Sequence, residues 1–164
     1  MEFRLLGNLE VTEGAAFLDV GGAKQRALLA ILLLHVNQVV PTDRLADKLW
    51  GGEPPPGATA TLQSYVSGLR RALEPGRSAE DHRLIVTRRP GYVIQLGPDQ
   101  LDVARFETLV AQASQALVRC DWARAASLSR HALELWRGPA LADFAYEPFA
   151  QAEAARLEES RQRA

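Results

Sequence analysis

The chain has 164 residues, a net charge of −1, and 47% apolar against 24% charged side chains, a composition that can bury a core and excludes a disordered chain. Its longest apolar run, Ala27 to Leu34, is about half the length that crosses a bilayer, which excludes a membrane span. The single cysteine, Cys120, has no partner for an internal disulfide and no cleavable leader is read at the start, so a reducing cytoplasm is the expected compartment.

Short apolar runs at Phe3 to Leu6, Leu9 to Val11 and Phe17 to Val20, broken at Gly7-Asn8 and Gly14, predict a small antiparallel meander. From Ala23 to Asn37 the sequence is apolar on nearly every side after Lys24, Gln25 and Arg26, the signature of a buried helix that would enclose His35. Val39-Val40 suits one more short strand. Thr42 then stands as an N-cap with Asp43 in the first turn, and Leu45, Ala46, Leu49 and Trp50 follow at helical spacing up to Gly51-Gly52.

The run Gly51, Gly52, Glu53, Pro54, Pro55, Pro56 and Gly57 is a loop, because three consecutive prolines suit neither a helix interior nor a central strand. A third helix follows, from Ala58 to about Glu74, with Leu62, Val66, Leu69 and Leu73 as one apolar stripe. Thr61, Gln63, Ser64, Ser67, Arg70 and Arg71 occupy its other face. Leu84 to Thr87 and Tyr92 to Leu96 then flank Arg88-Arg89-Pro90-Gly91, a β-hairpin with two arginines at its tip.

Beyond Leu101 the period is helical throughout. Phe106, Leu109, Val110, Ala113 and Leu117 form one expected apolar face, Trp122, Ala125, Ala126, Leu128 and Leu133 the next, joined at Cys120-Asp121. With a third helix from about Glu147, these read as the first repeats of a helical hairpin array, whose faces need neighbours and whose pattern stops short at Ala164.

The predicted architecture is therefore an α+β winged helix-turn-helix over residues 1–98 followed by an all-α segment over 99–164. Charge is segregated the same way: between Ala58 and Pro98 the arginines outnumber the acids, and beyond Pro98 the acids outnumber the basic residues. A polar helix face beside a cationic hairpin is what double-stranded DNA requires, the helix filling the major groove and the hairpin reaching phosphates or an adjacent groove. Thr61, Gln63, Ser64 and Ser67 are the candidate base contacts; Arg70, Arg71, Arg88 and Arg89 are the candidate backbone and wing contacts. Thr59, Tyr65, Lys24 and Arg26 are further backbone candidates, and Trp50, a packing residue by its place in the helix pattern, stands where it could approach a phosphate.

No catalytic, metal or cofactor site is read. His35, His82 and His131 lack ligand spacing and are assigned structural or solvated roles, Cys120 has no histidine near it in sequence, and Gly21-Gly22 lacks the glycine-rich phosphate fingerprint. Two other readings stay open at this point: a protein-interaction module whose winged helix no longer binds DNA, and a ligand-sensing repressor with an effector between its helices.

The segment Thr61-Leu62-Gln63-Ser64-Tyr65-Val66-Ser67-Gly68-Leu69-Arg70-Arg71-Ala72-Leu73-Glu74-Pro75 resembles the recognition helix of OmpR-type regulators, and Thr87-Arg88-Arg89-Pro90-Gly91-Tyr92 resembles their wing. Ala23 to Leu29, the Pro54–Pro56 loop and Leu135-Trp136-Arg137-Gly138-Pro139-Ala140-Leu141 resemble the Streptomyces antibiotic regulatory protein (SARP) family. The resemblance implies a transcription activator whose second part is a tetratricopeptide-like bacterial transcriptional activator domain. It also implies self-association in pairs on tandem direct repeats near promoters and recruitment of RNA polymerase through its sigma subunit, with the Gly51–Gly57 loop as the polymerase contact. Gly68 departs from the family, standing where a basic residue is frequent and costing about 1 kcal/mol of helix propensity.

Overall fold

In the computed structural model, which describes residues 1–76, 78 and 82–164, three antiparallel strands come first: β1 (Glu2–Arg4), β2 (Glu10–Glu13) and β3 (Ala16–Phe17). The register sets Phe3 opposite Val11, so the alternating apolar positions share one buried face. Helix α1 (Ala23–Leu33) is buried at every position from Ala27 to Leu33, as its unbroken apolar sequence requires.

The helix stops four residues before Asn37, where the apolar pattern would have carried it. Asn37 has a left-handed φ of 61°. Its carboxamide exchanges two hydrogen bonds of 3.0 Å with the backbone of Leu96, which draws the chain out of the helix toward the wing. His35 consequently lies past the helix end, half-buried, with Nδ1 2.9 Å from the carbonyl oxygen of Ile31, and not inside the helix as expected.

Strand β4 (Val40–Pro41) leads into α2 (Thr42–Trp50). Thr42 is not the N-cap. Pro41 holds that position, and Thr42 donates both its N–H and its hydroxyl to the carbonyl of Pro90, each at 3.2 Å, tying the helix start to the wing turn. Gly51, left-handed at φ 66°, ends the helix. Helix α3 (Ala58–Leu73) buries Leu62, Val66, Leu69 and Leu73. Each such side chain contributes about 1.5–3 kcal/mol by leaving water, enough together to fix the rotation of the helix.

Strands β5 (Ile85–Arg88) and β6 (Gly91–Ile94) form the hairpin, and β4 adds to β6 to give a second sheet in the order β4-β6-β5. Gly91 faces Pro41 in this sheet, and a Cβ there would stand 1.9 Å from the carbonyl oxygen of Val40. Only glycine lets β4 close on the hairpin.

The helical half comprises α4 (Asp102–Val118), α5 (Trp122–Glu134), a 3-10 turn at Ala142–Phe144 and α6 (Pro148–Arg163). Asp121 caps α5 by accepting from the N–H of Arg124 at 3.2 Å. Beyond Phe106, the hairpin closes on small residues, with Ala113 and Ala116 of α4 and Ala125 and Ala132 of α5 buried. That close approach leaves the larger side chains at the rim: Leu117, Trp122 and Leu133, expected on packed faces, are exposed, Trp122 at 65%. Trp136 is buried edge-on against Phe106, ring centres 5.3 Å apart, with the Arg161 guanidinium 4.6 Å above it.

The two halves share one core. Phe3, Leu5 and Leu6 continue into Leu101, Phe106, Leu141 and Leu157. The backbone N–H groups of Leu141, Arg137 and Ala142 donate to the carbonyls of Leu5, Leu6 and Gly7 at 2.8, 2.8 and 3.1 Å, tying the chain just past β1 to the Arg137-to-Ala142 segment. Among the described residues no helix is long and apolar enough to cross a membrane.

Candidate nucleic-acid interface

With the Leu62, Val66, Leu69 and Leu73 stripe inward, α3 turns Thr59, Gln63, Ser64, Ser67 and Arg71 to solvent. Thr61 lies at the edge of this arc, half-buried, and its hydroxyl donates to the carbonyl of Gly57 at 3.3 Å, so part of its hydrogen-bonding capacity is used within the helix. Tyr65 is half-buried against the core rather than projecting from the face.

The wing stands beside this face. Arg88, Arg89 and Pro90 are all exposed at the turn between β5 and β6. Arg70 joins helix and wing: its Nε donates to the carbonyl of Ile85 and one terminal nitrogen to the hydroxyl of Thr87, both at 2.9 Å. The guanidinium that the sequence offers as a phosphate contact thus braces β5 against α3, and Arg71 is the helix arginine left pointing outward.

The remaining backbone candidates separate in the same way. Lys24 places its Nζ 2.7 Å from the carbonyl of Leu49 at the end of α2, where an ammonium suits the negative helix terminus. Arg26 donates to the carbonyl of Leu9 at 2.8 Å and pairs with Asp143, binding α1 to the 3-10 turn of the helical half. Trp50 is half-buried against the core at the end of α2. The loop Gly51, Gly52, Glu53, Pro54, Pro55, Pro56 and Gly57 is exposed along its whole length, immediately before α3.

Two carboxylates with structural consequence are not singled out by the sequence. Glu74, one of the acids counted beside the helix arginines, is buried; it accepts the backbone N–H groups of Arg83 and Leu84 at 3.0 and 3.1 Å and lies 3.4 Å from Nδ1 of His82. It fixes where the chain re-enters the wing. Asp102 is buried at the head of α4 and accepts from Leu5, Leu6 and its own neighbour Val103 at 2.8 to 3.0 Å. Burial pushes its carboxyl above the ordinary 3.8, against the lowering effect of those donors and of Arg137. No motif marks either position in the sequence, because the N–H groups they accept come from distant backbone.

A solvent-facing polar helix beside a cation-tipped hairpin braced against it defines the class: a transcription regulator of the winged helix-turn-helix type. Residues 21–94 match the model of the C-terminal domain of transcriptional regulatory proteins, and residues 101–164 match the bacterial transcriptional activator domain. The chain is 37% identical over 162 residues to the regulatory protein AfsR of Streptomyces coelicolor, covering 98% of this chain and 16% of that protein. It is 34% identical over 165 residues to the regulatory protein DnrI of Streptomyces peucetius, covering 98% of this chain and 61% of that one. The solved structure of Mycobacterium tuberculosis EmbR in complex with a low-affinity phosphopeptide superimposes with a TM-score of 0.91 at 33% identity, over 98% of this chain and 42% of that one.

The chain belongs to the SARP family of transcription regulators, and carries the regulatory C-terminal domain followed by the activator domain. It spans less than two thirds of the length of these relatives.

Proposed function

We propose that the protein is a sequence-specific transcriptional activator of the bacterial cytoplasm that binds tandem direct repeats near promoters and recruits RNA polymerase through its sigma subunit. Residues 1–98 act as the DNA-binding domain and 99–164 as the first part of the activator domain. Gln63, Ser64 and Ser67, with Thr61 at the edge, meet base edges; Arg71, Arg88 and Arg89 hold phosphates or the minor groove. The observation that carries this reading is the outward arc of α3 lying next to the exposed Arg88-Arg89 turn, with Arg70 bracing the two.

The exposed Gly51–Gly57 loop is the surface assigned to polymerase, since it precedes α3 without belonging to its polar arc. Two copies on repeats about one helical turn apart would present both loops on one side of the duplex.

A footprint on promoter DNA tests the reading. Two protected segments in the same orientation are expected, and alanine replacement of Glu53 with shortening of the proline run should leave the footprint intact while abolishing activation in a reconstituted transcription reaction. Absence of protection at low salt would overturn DNA binding. Protection of an inverted repeat would overturn the arrangement, and full activation by the loop variant would overturn the polymerase assignment.

A further inference from the structure

Of the three polar residues that open α1, Lys24 and Arg26 are held within the protein, by Leu49 and by Leu9 with Asp143. The middle one, Gln25, goes elsewhere. Its Oε1 accepts the N–H of Gly22 at 3.3 Å, and this bond turns the other end of the carboxamide toward α3. A Cβ built on Gly68 would stand 2.2 Å from Nε2 of Gln25, and a Cβ built on Gly21 would stand 2.3 Å from its Oε1. The carboxamide therefore lies in a slot cleared on both sides by glycines, and its nitrogen occupies the place where a side chain at position 68 would begin.

That place adjoins the outward arc. At about 100° per residue, Gly68 falls beside Ser64 and Thr61 on one flank of α3, while Gln63 and Arg70 fall on the flank that meets the wing. Gln25 is half-buried, its Oε1 is used, and no described residue accepts from its Nε2. On the wing flank a cationic hairpin borders the arc; on the α1 flank the donor at the corresponding edge is this amide.

We infer that Gln25 is a DNA-backbone contact of this protein, its Nε2 donating to a phosphate oxygen at the α1 edge of α3, and that Gly68 and Gly21 are the clearance that admits it. The inference rests on the DNA-binding reading above. Because the donor is neutral, the contact adds hydrogen-bond strength without releasing a further counterion.

Gly68→Ala tests it by displacing the amide while leaving the capping residue in place, and Gln25→Met tests it by removing the donor at constant length and charge. The probe is a random-sequence duplex titrated at several salt concentrations, with the melting temperature of the full chain measured alongside. Each variant is expected to bind roughly 10- to 100-fold more weakly, as loss of one hydrogen bond to a charged acceptor implies, with the salt slope of the unaltered protein.

Gly68→Ala should at the same time hold or raise the melting temperature, because alanine favours the helix; affinity and stability moving in opposite directions is not what a purely structural role predicts. Gly68→Ala added to Gln25→Met should cost nothing further. If Arg71→Ala weakens binding but both Gln25→Met and Gly68→Ala bind as the unaltered protein does, the Gln25 contact is overturned and the DNA-binding reading stands. If Gly68→Ala misfolds, Gln25→Met alone decides. If the unaltered protein does not bind the duplex at all, the underlying reading has failed.

Discussion

The carboxylate of Asp102 accepts the backbone N–H of Leu5 through both of its oxygens, at 2.8 and 3.0 Å, across 97 residues of sequence. It is the point at which the activator-domain segment takes hold of the chain just past the first strand, and Leu6 adds a second donor at 2.9 Å. Asp102→Ala would leave two buried N–H groups without an acceptor, each costing about 1–3 kcal/mol. A loss of about 3 kcal/mol is expected in urea unfolding, and a loss below about 0.5 kcal/mol would show that the junction does not depend on this carboxylate.

The pH dependence of the same group follows from its direction of shift. Burial raises the folded-state value above the ordinary 3.8, so the folded chain binds the proton more tightly than the unfolded chain. The contribution of this group is therefore fully present below the unfolded value and is lost as pH rises through the folded one. Relative to Asp102→Asn, which does not titrate, the unaltered protein should gain stability as pH falls from neutrality toward 3.8. Unfolding of both proteins at those two pH values checks it, and a difference that stays constant or moves the other way contradicts the assigned shift.

Reading and holding residues on α3 should separate by salt. Gln63→Ala is expected to relax preference at one base pair by about 1–3 kcal/mol with little change in salt slope, since a glutamine pairs with an adenine edge. Arg71→Ala should instead weaken operator and scrambled duplexes alike and reduce the slope by about 1. Titration of both variants on both duplexes over a salt series distinguishes them.

Arg70 should behave unlike its neighbour. Arg70→Lys retains the charge but not the planar fork that reaches Ile85 and Thr87 at once. The expected result is a near-normal salt slope with faster amide exchange in β5, read by hydrogen exchange. A loss of slope equal to that of Arg71→Ala, with the wing as protected as before, would make Arg70 a phosphate contact after all.

Gly91→Ala puts a methyl group 1.9 Å from the Val40 carbonyl oxygen and 2.7 Å from the Pro41 Cα, both backbone atoms that have little room to yield. Separation of β4 from β6 or a loss of about 3 kcal/mol is expected, measured by thermal unfolding. Unchanged stability would mean that β4 is not held against the hairpin.

The sequence by itself determined the order of elements and which face of α1 and α3 is buried, but not the packed faces of α4 and α5. The all-apolar α1, the Leu62-to-Leu73 stripe of α3 and the arginine-tipped hairpin are local patterns, written in residues a few positions apart, because burial repeats with the period of the element. The outward placement of Gln63, Ser64, Ser67 and Arg71 follows from that stripe.

What the tertiary structure decided is where long polar side chains end. Lys24 finds Leu49, Arg26 finds Asp143 at a separation of 117 residues, Arg70 finds β5, and Asp102 finds Leu5. A flexible cation or carboxylate takes whichever partner the packed backbone brings within hydrogen-bond reach. Its own sequence neighbourhood holds no record of that partner, so residues that look equally free for DNA in the sequence divide, once folded, into those that brace the domain and those that face solvent.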